Sequence, residues 1–227
     1  FMPSLVGSEM CIRDSIGAGG IGALLASHVS RAYAFSNPVD PLTLTIMDGD
    51  SVEERNLPHQ PFTADDVGTP KVEALVRQLR DTGITEDRRV ALIAAAEDFT
   101  SDTDLSEYDL VVVAVDREEP RNLVHANAEQ WLDLRARGDG FVMCSHETDP
   151  RVFEALPKLP EGESASCQLE DAIEMGNIQF GFAEAASHGA QWVIQWLRGS
   201  QLPPNRMATI HTVSYTHLRA HETRHDL

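Results

Sequence analysis

The sequence predicts an α/β domain of the doubly wound kind, with a mainly parallel sheet and a helical C-terminal portion. Three observations predict it: a glycine-rich turn that opens a helix near residue 20, short apolar segments alternating with stretches of helical period, and acids where several of those segments end. The turn is Ile16-Gly17-Ala18-Gly19-Gly20-Ile21-Gly22, and beyond it Leu24, Leu25, His28 and Val29 predict a helix ending near Asn37-Pro38. Residues 42–47 (LTLTIM) mix β-branched and aliphatic side chains and stop at Asp48-Gly49-Asp50, the pattern of a buried strand carrying acids at its carboxyl end. Thr69-Pro70 opens a helix with Val72, Leu75, Val76 and Leu79 at helical spacing, and Gly83 closes it. Residues 90–96 and 110–115 are short apolar runs bounded by charges, which predicts strands covered on both faces. Residues 120–137 are predicted helical, and 141–144 form a fourth internal strand. Alternation at this spacing implies parallel pairing with right-handed crossovers. Residues 150–166 read as a loop, and the pattern turns helical again from Leu169. Residues 180–197 form an Ala-rich helix with Phe182, Ala186, Val193 and Trp196 on one side, and 207–211 a last strand.

Composition sets the outer limits. With 227 residues, 42% hydrophobic and 24% charged, the chain is long enough for one substantial core. No apolar run approaches the roughly 18 residues of a membrane span, and the composition excludes collagen, coiled coil and a wholly disordered chain. Its 18 Lys plus Arg against 36 Asp plus Glu leave a formal charge of −18, which repels phosphate backbones and anionic lipid. Neither nucleic acid nor a membrane is an expected partner. Three cysteines without paired spacing give no disulfide framework and point to a reducing, cytoplasmic setting.

The ends are expected to be foreign. Residues 4–15 (SLVGSEMCIRDS) and 213–227 (VSYTHLRAHETRHDL) resemble translated sequencing adapter, so the domain is expected to span 16–212, with 1–15 and 213–227 outside it. His217, His221 and His225 share one helix face but on this reading form no metal site, and Cys11 drops out with them. The strand that normally precedes such a glycine turn is then expected to be missing.

Gly17, Gly19 and Gly22 satisfy G-x-G-x-x-G, which Rossmann-like dehydrogenases, methyltransferases and others share; alone it is weak. More specific are the polar residues that follow at the carboxyl ends of successive strands, where open α/β sheets bind ligands. They are Asp48-Gly-Asp50-Ser-Val52 with Asn56-Leu57 and Gln60, then Asp66-Val-Gly68-Thr-Pro-Lys71, then Asp116 with Arg121. Through these and the glycines, residues 16–212 resemble the ThiF family, the adenylyltransferases related to ubiquitin-activating enzymes. Ser166-Cys167-Gln168-Leu169 and the Ala-rich, Trp-containing helix after it are similar to the branch found in plasmid-associated PRTRC gene systems.

The resemblance implies a role for each position. Gly17, Gly19, Gly20 and Gly22 would let backbone approach ATP phosphates at a helix N-terminus. Asp48 would accept hydrogen bonds from the ribose hydroxyls, with Asp50 beside it, while Asn56 and Gln60 hold phosphates. Lys71 would neutralise charge as pyrophosphate leaves, and Asp116 would take a hydrated Mg²⁺. Singly, Asp48 and Asp50 also fit turn acids, Asn56 a loop residue, Lys71 a solvated helix lysine and Asp116 a strand-end cap. Their occurrence together and in order favours the functional reading.

Two departures stand out. Where the family has Arg three positions after the Asn, this chain has His59, a shorter group mostly neutral near pH 7. A second family arginine lies on an N-terminal segment that is absent or overwritten here. Cys167 has two readings: an acceptor that takes the activated carboxyl as a thioester, or an inert residue, because Glu161, Glu163, Glu170 and Asp171 around it disfavour a thiolate. Zinc needs four ligands, and only Cys144 and Cys167 remain, with His146 and His188 not required to join them. Trp131, Trp192 and Trp196 read as core or dimer-interface residues. The expected activity is ATP- and Mg²⁺-dependent adenylation of the C-terminal carboxylate of a small ubiquitin-like or sulfur-carrier protein, by a homodimer, with thioester formation as a following step. The alternatives are an NAD-dependent oxidoreductase, which leaves Asn56, Lys71 and Asp116 without work, and a nucleotide-binding scaffold of the same fold with weakened catalysis.

Overall fold

The computed structural model describes residues 10–36, 38, 40–155, 166–169 and 171–209. The three terminal histidines 217, 221 and 225 and most of the segment 150–166 therefore lie outside the described residues. Among the described residues seven strands form one sheet: β1 (Met10–Ile16), β2 (Leu42–Met47), β3 (Val90–Ala95), β4 (Val111–Val113), β5 (Trp131–Arg137), β6 (Gly140–Ser145) and β7 (Arg206–Thr209). Their order is β3-β2-β1-β4-β5-β6-β7, parallel from β3 to β5 and antiparallel across β5, β6 and β7. The helices are α1 (Gly20–Ala34), α2 (Lys71–Asp81), α3 (Glu118–Asn127), α4 (Pro150–Ala155) and α5 (Gly181–Leu197).

Two apolar clusters hold the layers together. The larger joins α1, α2 and α5 to one sheet face through residues such as Leu25, Val72, Leu75, Leu44, Leu134, Phe182 and Trp192. The smaller gathers Met47, Phe99, Val111, Val113, Val124 and Trp131 on the face that α3 covers. At Gly189 α5 comes so close that a Cβ would stand 2.5 Å from Leu134 Cδ1, so α1 and α5 pack side by side over β5 without a spacer. No helix among the described residues is long and apolar enough to cross a membrane.

The sheet order places the chain reversal between β1 and β4, the position where doubly wound folds open a crevice at the strand ends. Four expectations need correction. A strand does precede the glycines: Met10–Ile16 pairs in parallel with both β2 and β4, because an extended segment there satisfies the facing backbone groups of two neighbours. The predicted helix 120–137 ends at Asn127, and Trp131–Arg137 is a strand whose buried residues seat it between β4 and β6. β3 is an edge strand, with Ile93 43% exposed, so it is not covered on both faces. Residues 150–155 form a short helix, whereas 171–176 are turns where a helix was expected.

Candidate functional site

At the end of β1 the chain makes a turn only glycine accommodates. Gly17 has φ +105°, and a Cβ there would stand 2.6 Å from the Ala114 carbonyl oxygen beyond β4. Its N–H donates to Met47 O at 2.8 Å, which pins the turn to β2. Gly19 then takes the position before α1 without any side-chain cap, and a Cβ on it would meet nothing within 4 Å. The first turn of α1, with its outward N–H groups, therefore opens on the crevice.

Asp48 closes the turn from the other side. Its Oδ2 accepts from the Ala18 N–H at 2.6 Å and its Oδ1 from the Asp50 N–H at 2.8 Å. Burial pushes its pKa up, against the lowering effect of the Lys71 charge and of those two hydrogen bonds. Each carboxylate oxygen keeps a second lone pair for a hydroxyl donor. Lys71, buried at the start of α2, donates from Nζ to Asp50 Oδ2 at 2.7 Å, and its N–H donates to Asp50 O at 2.9 Å. Asp66, quoted above for the resemblance, instead caps its own turn: it accepts from the Thr63 N–H and hydroxyl and from Gln78, and pairs with Arg77.

The turn 53–60 supplies a polar wall. Asn56 is buried and accepts at Oδ1 from the Glu53 N–H at 2.9 Å, while its carbonyl receives the N–H groups of His59 and Gln60. His59 Nδ1 and Gln60 Oε1 are buried and, among the described residues, have no hydrogen-bond partner. Two adjacent orphans of this kind are costly unless something fills them. Burial, and then the Lys71 charge, push the His59 pKa down, so the imidazole facing the crevice is neutral at pH 7.

Asp116 faces these groups from the loop after β4. Two arginines hold that loop: Arg121 donates to Val115 O and pairs with buried Asp133, and Arg135 Nη1 donates to Glu118 Oε1 at 2.8 Å. Cys167, half-buried, sits in the same crevice; burial pushes its thiol pKa up and Asp116 adds to that, outweighing the hydrogen bond with Gln168. Cys144 lies in the β6 core with its thiol pushed up to about 11 by burial and by Asp133. Among the described residues no three His, Cys, Asp or Glu side chains stand close enough to hold a metal ion.

Most of these groups border one cavity of about 870 Å³. The structure brings to it Gly17, Gly19, Gly20, Asp48, Asp50, Asn56, His59, Gln60, Lys71, Asp116 and Cys167. Gly22 alone of the expected residues does not reach it, being buried inside α1. Sequence reasoning missed Phe182, which packs edge-on to His59 from α5, and the arginines 55, 117, 135 and 137. The alternation Asp133, Arg135, Arg137 was the available signal for the last two, because period two marks one face of a strand.

Residues 15–226 match the ThiF family. The chain belongs to the ThiF family. The match runs beyond residue 212, where the domain was expected to end. No curated protein matches the chain. Among solved structures it is similar to E. coli MccB with SeMet MccA (TM-score 0.57, 20% identity, covering 90% of this chain and 65% of that one). It is also similar to E. coli MccB with ATP (TM-score 0.56, 18% identity, 89% and 64%) and to SeMet PaaA (TM-score 0.55, 17% identity, 90% and 65%). At these identities the likeness is one of fold, and this ThiF-family chain spans a little under two thirds of the length of those relatives.

Proposed function

We propose that this chain adenylates a carboxylate at the C-terminus of a peptide or small protein, with ATP as the co-substrate. The observation that carries the reading is the convergence, on one crevice, of an uncapped helix start, two orphaned buried polar atoms at His59 and Gln60, the buried Lys71 and, across from them, Asp116. The donors of that set, the α1 N–H groups, Lys71 Nζ and the His59 ring, suit a triphosphate, and the Gln60 oxygen suits a hydroxyl or amino donor; a dinucleotide reading leaves Lys71 and Asp116 idle. MccB, of the same fold, has been solved with ATP and with MccA.

The residues then divide the work. The α1 N-terminus and Asn56 hold phosphate oxygens, and Asp48 accepts from ribose hydroxyls with its remaining lone pairs. An acceptor carboxylate oxygen attacks the α-phosphorus; the new O–P bond forms as the bond to the bridging oxygen of the β-phosphate breaks, and pyrophosphate leaves with that electron pair. Lys71 donates to the departing phosphates, so charge that grows in the transition state meets a fixed cation. Asp116 would hold Mg²⁺, a hard cation that prefers carboxylate oxygen, and the ion would supply further charge neutralisation. Alignment does most of the work, since little covalent chemistry falls to the protein.

A small ubiquitin-like or sulfur-carrier protein as acceptor, a homodimeric assembly and the PRTRC branch are the finer form of the proposal, and they rest on the sequence resemblance. A thioester at Cys167 belongs with them: its sulfur would attack the acyl carbonyl and AMP would leave. That step needs a base to take the thiol proton, because the cleft as built favours the thiol. The test is ATP–pyrophosphate exchange with candidate acceptors added singly. Asp116→Ala should abolish exchange and leave the fold intact; full exchange in that variant would overturn the assignment, and tight NAD binding without ATP binding would favour the oxidoreductase.

A further inference from the structure

The cavity continues from the nucleotide end along β5, β6 and β7, and its wall changes character there. Around the glycine turn it carries acids as well as cations. Among the described residues that line the far arm, from Arg135 to Thr209, no side chain is acidic; the charged ones are Arg135 and Arg137. In a chain of formal charge −18, an arm with only cations and otherwise apolar or small residues is a local reversal of sign.

Register defines its shape. Arg135 pairs with Val142 and Val142 with Met207, so these three form one row across the sheet; Arg137, Gly140 and Thr209 form the next. Gly140 leaves the middle of the second row without a side chain, which makes a trough between Arg137 and Thr209. Helix α3 covers β4 and β5 on this face, while α5 packs on β5 and β6 from the opposite side. Met207 remains 69% exposed beside the trough. The two arginines differ in availability. Arg135 is engaged by Asp133 and Glu118, whereas Arg137, exposed, makes no ion pair among the described residues.

We infer that the acceptor of this cleft is an extended chain end with an acidic side chain near its terminal carboxylate, and that Arg137 selects it across the Gly140 trough while Val142 and Met207 take an apolar neighbour. The inference rests on the adenylation reading. From the β1 turn to Arg137 is two strand spacings across the sheet and, by the register Ile16–Val113–Asp133, about three residues along β5, about 14 Å in all, which roughly four residues of extended chain cover. The acid is therefore expected at about the fourth residue from the end. A guanidinium suits this task because its planar fork grips a carboxylate with two parallel hydrogen bonds.

The test uses two fluorescein-labelled octapeptides with free C-termini, identical except for Glu or Lys fourth from the end. Binding to the full chain is followed by fluorescence anisotropy in the presence of a non-hydrolysable ATP analogue. The Glu peptide should bind about tenfold tighter than the Lys peptide, Arg137→Gln should erase the difference, and Arg137→Glu should reverse it. Equal binding of the two peptides, absence of binding by both, or a preference that survives Arg137→Glu overturns the inference. A fluorescent-ATP titration of the same preparations keeps the two readings apart. ATP bound without a Glu preference sinks only the role of Arg137, and failure to bind ATP sinks adenylation whatever the peptides do.

Discussion

Acid should weaken this fold through Asp133 by an amount that can be isolated. Its carboxylate is buried in β5, paired with Arg121, 2.8 Å from Arg135 Nη2 and 3.2 Å from His125 Nε2. Burial alone would raise its pKa; the charges of Arg121 and Arg135, with hydrogen bonds from His125 and Arg135, outweigh burial and bring it from 3.8 to about 2. A carboxyl depressed in this way stabilises the fold in full above its unfolded pKa, and that contribution is lost as pH falls through the folded value. The gap between the two values corresponds to about 2 kcal/mol, present at pH 7 and gone once pH has passed from roughly 4 to below 2. Asp133→Asn alone is a poor probe, because it strands a buried guanidinium at a cost of about 3–5 kcal/mol. The double variant Arg121→Met/Asp133→Leu removes both charges, and any cost from the carbonyls Arg121 served is independent of pH. Urea unfolding followed by tryptophan fluorescence, with buried Trp131 and Trp192 as reporters, gives stability at pH 7 and pH 2.5 for both proteins. The wild type should lose about 1–2 kcal/mol more than the double variant over that interval. Equal losses would refute the reasoning, since the other depressed carboxyls, Asp66 among them, are common to both proteins.

Three further outcomes follow from the crevice. Gly17→Ala must hold a positive φ and place a methyl 2.6 Å from a backbone oxygen, so a loss of about 2 kcal/mol or more and of ATP binding is expected in thermal melts and fluorescent-ATP titrations. Lys71→Met should lower pyrophosphate exchange by roughly 10²–10³-fold with the circular-dichroism spectrum unchanged; retention of more than half the activity would remove Lys71 from the mechanism. His59→Arg restores a permanent cation beside the orphaned Gln60 oxygen and should tighten ATP binding at pH 7.5. The wild-type imidazole, with its pKa pushed down, should gain affinity only as pH falls below about 6.5, while the variant stays flat across that range.

Much of this was legible in the sequence wherever a signal was local. The strand 42–47 and the helix opened by Thr69-Pro70 came out at their observed positions because hydrophobic period and turn residues lie within one segment. The convergence of Asp48, Asn56, Lys71 and Asp116 followed from one topological rule, that polar residues after successive parallel strands meet at the strand ends. What sequence missed was settled over distance. Residues 131–137 read as the continuation of the helix that opens near Pro120, and nothing nearby reveals that Asp133 is buried against Arg121 of the preceding helix. Phe182 reaches His59 from a helix that follows 123 positions later, a contact set by packing of α5 on α1. The likeness of residues 4–15 to foreign sequence argues against a first strand, whereas strand formation there depends on the backbone groups that β2 and β4 present to whatever chain lies between them.

The pairing of Lys71 with Asp50 carries one more consequence. The lysine side chain is only 9% exposed, the aspartate 71%, so the crevice buries the cation and leaves its partner in water. An isolated buried ammonium is expensive, and Asp50 supplies the compensation while the site holds no phosphate. Because Asp50 is well solvated, surrendering Lys71 costs it little: water replaces the lost hydrogen bond. A triphosphate entering at the α1 N-terminus then competes for Lys71 against a weakly committed rival, and the exchange trades one carboxylate for a more highly charged anion at the same Nζ. Asp50→Asn should accordingly tighten ATP binding if Lys71 is a phosphate ligand. Weaker binding in that variant, with melting temperature unchanged, would mean that Asp50 itself positions the nucleotide and that Lys71 serves chiefly to hold it.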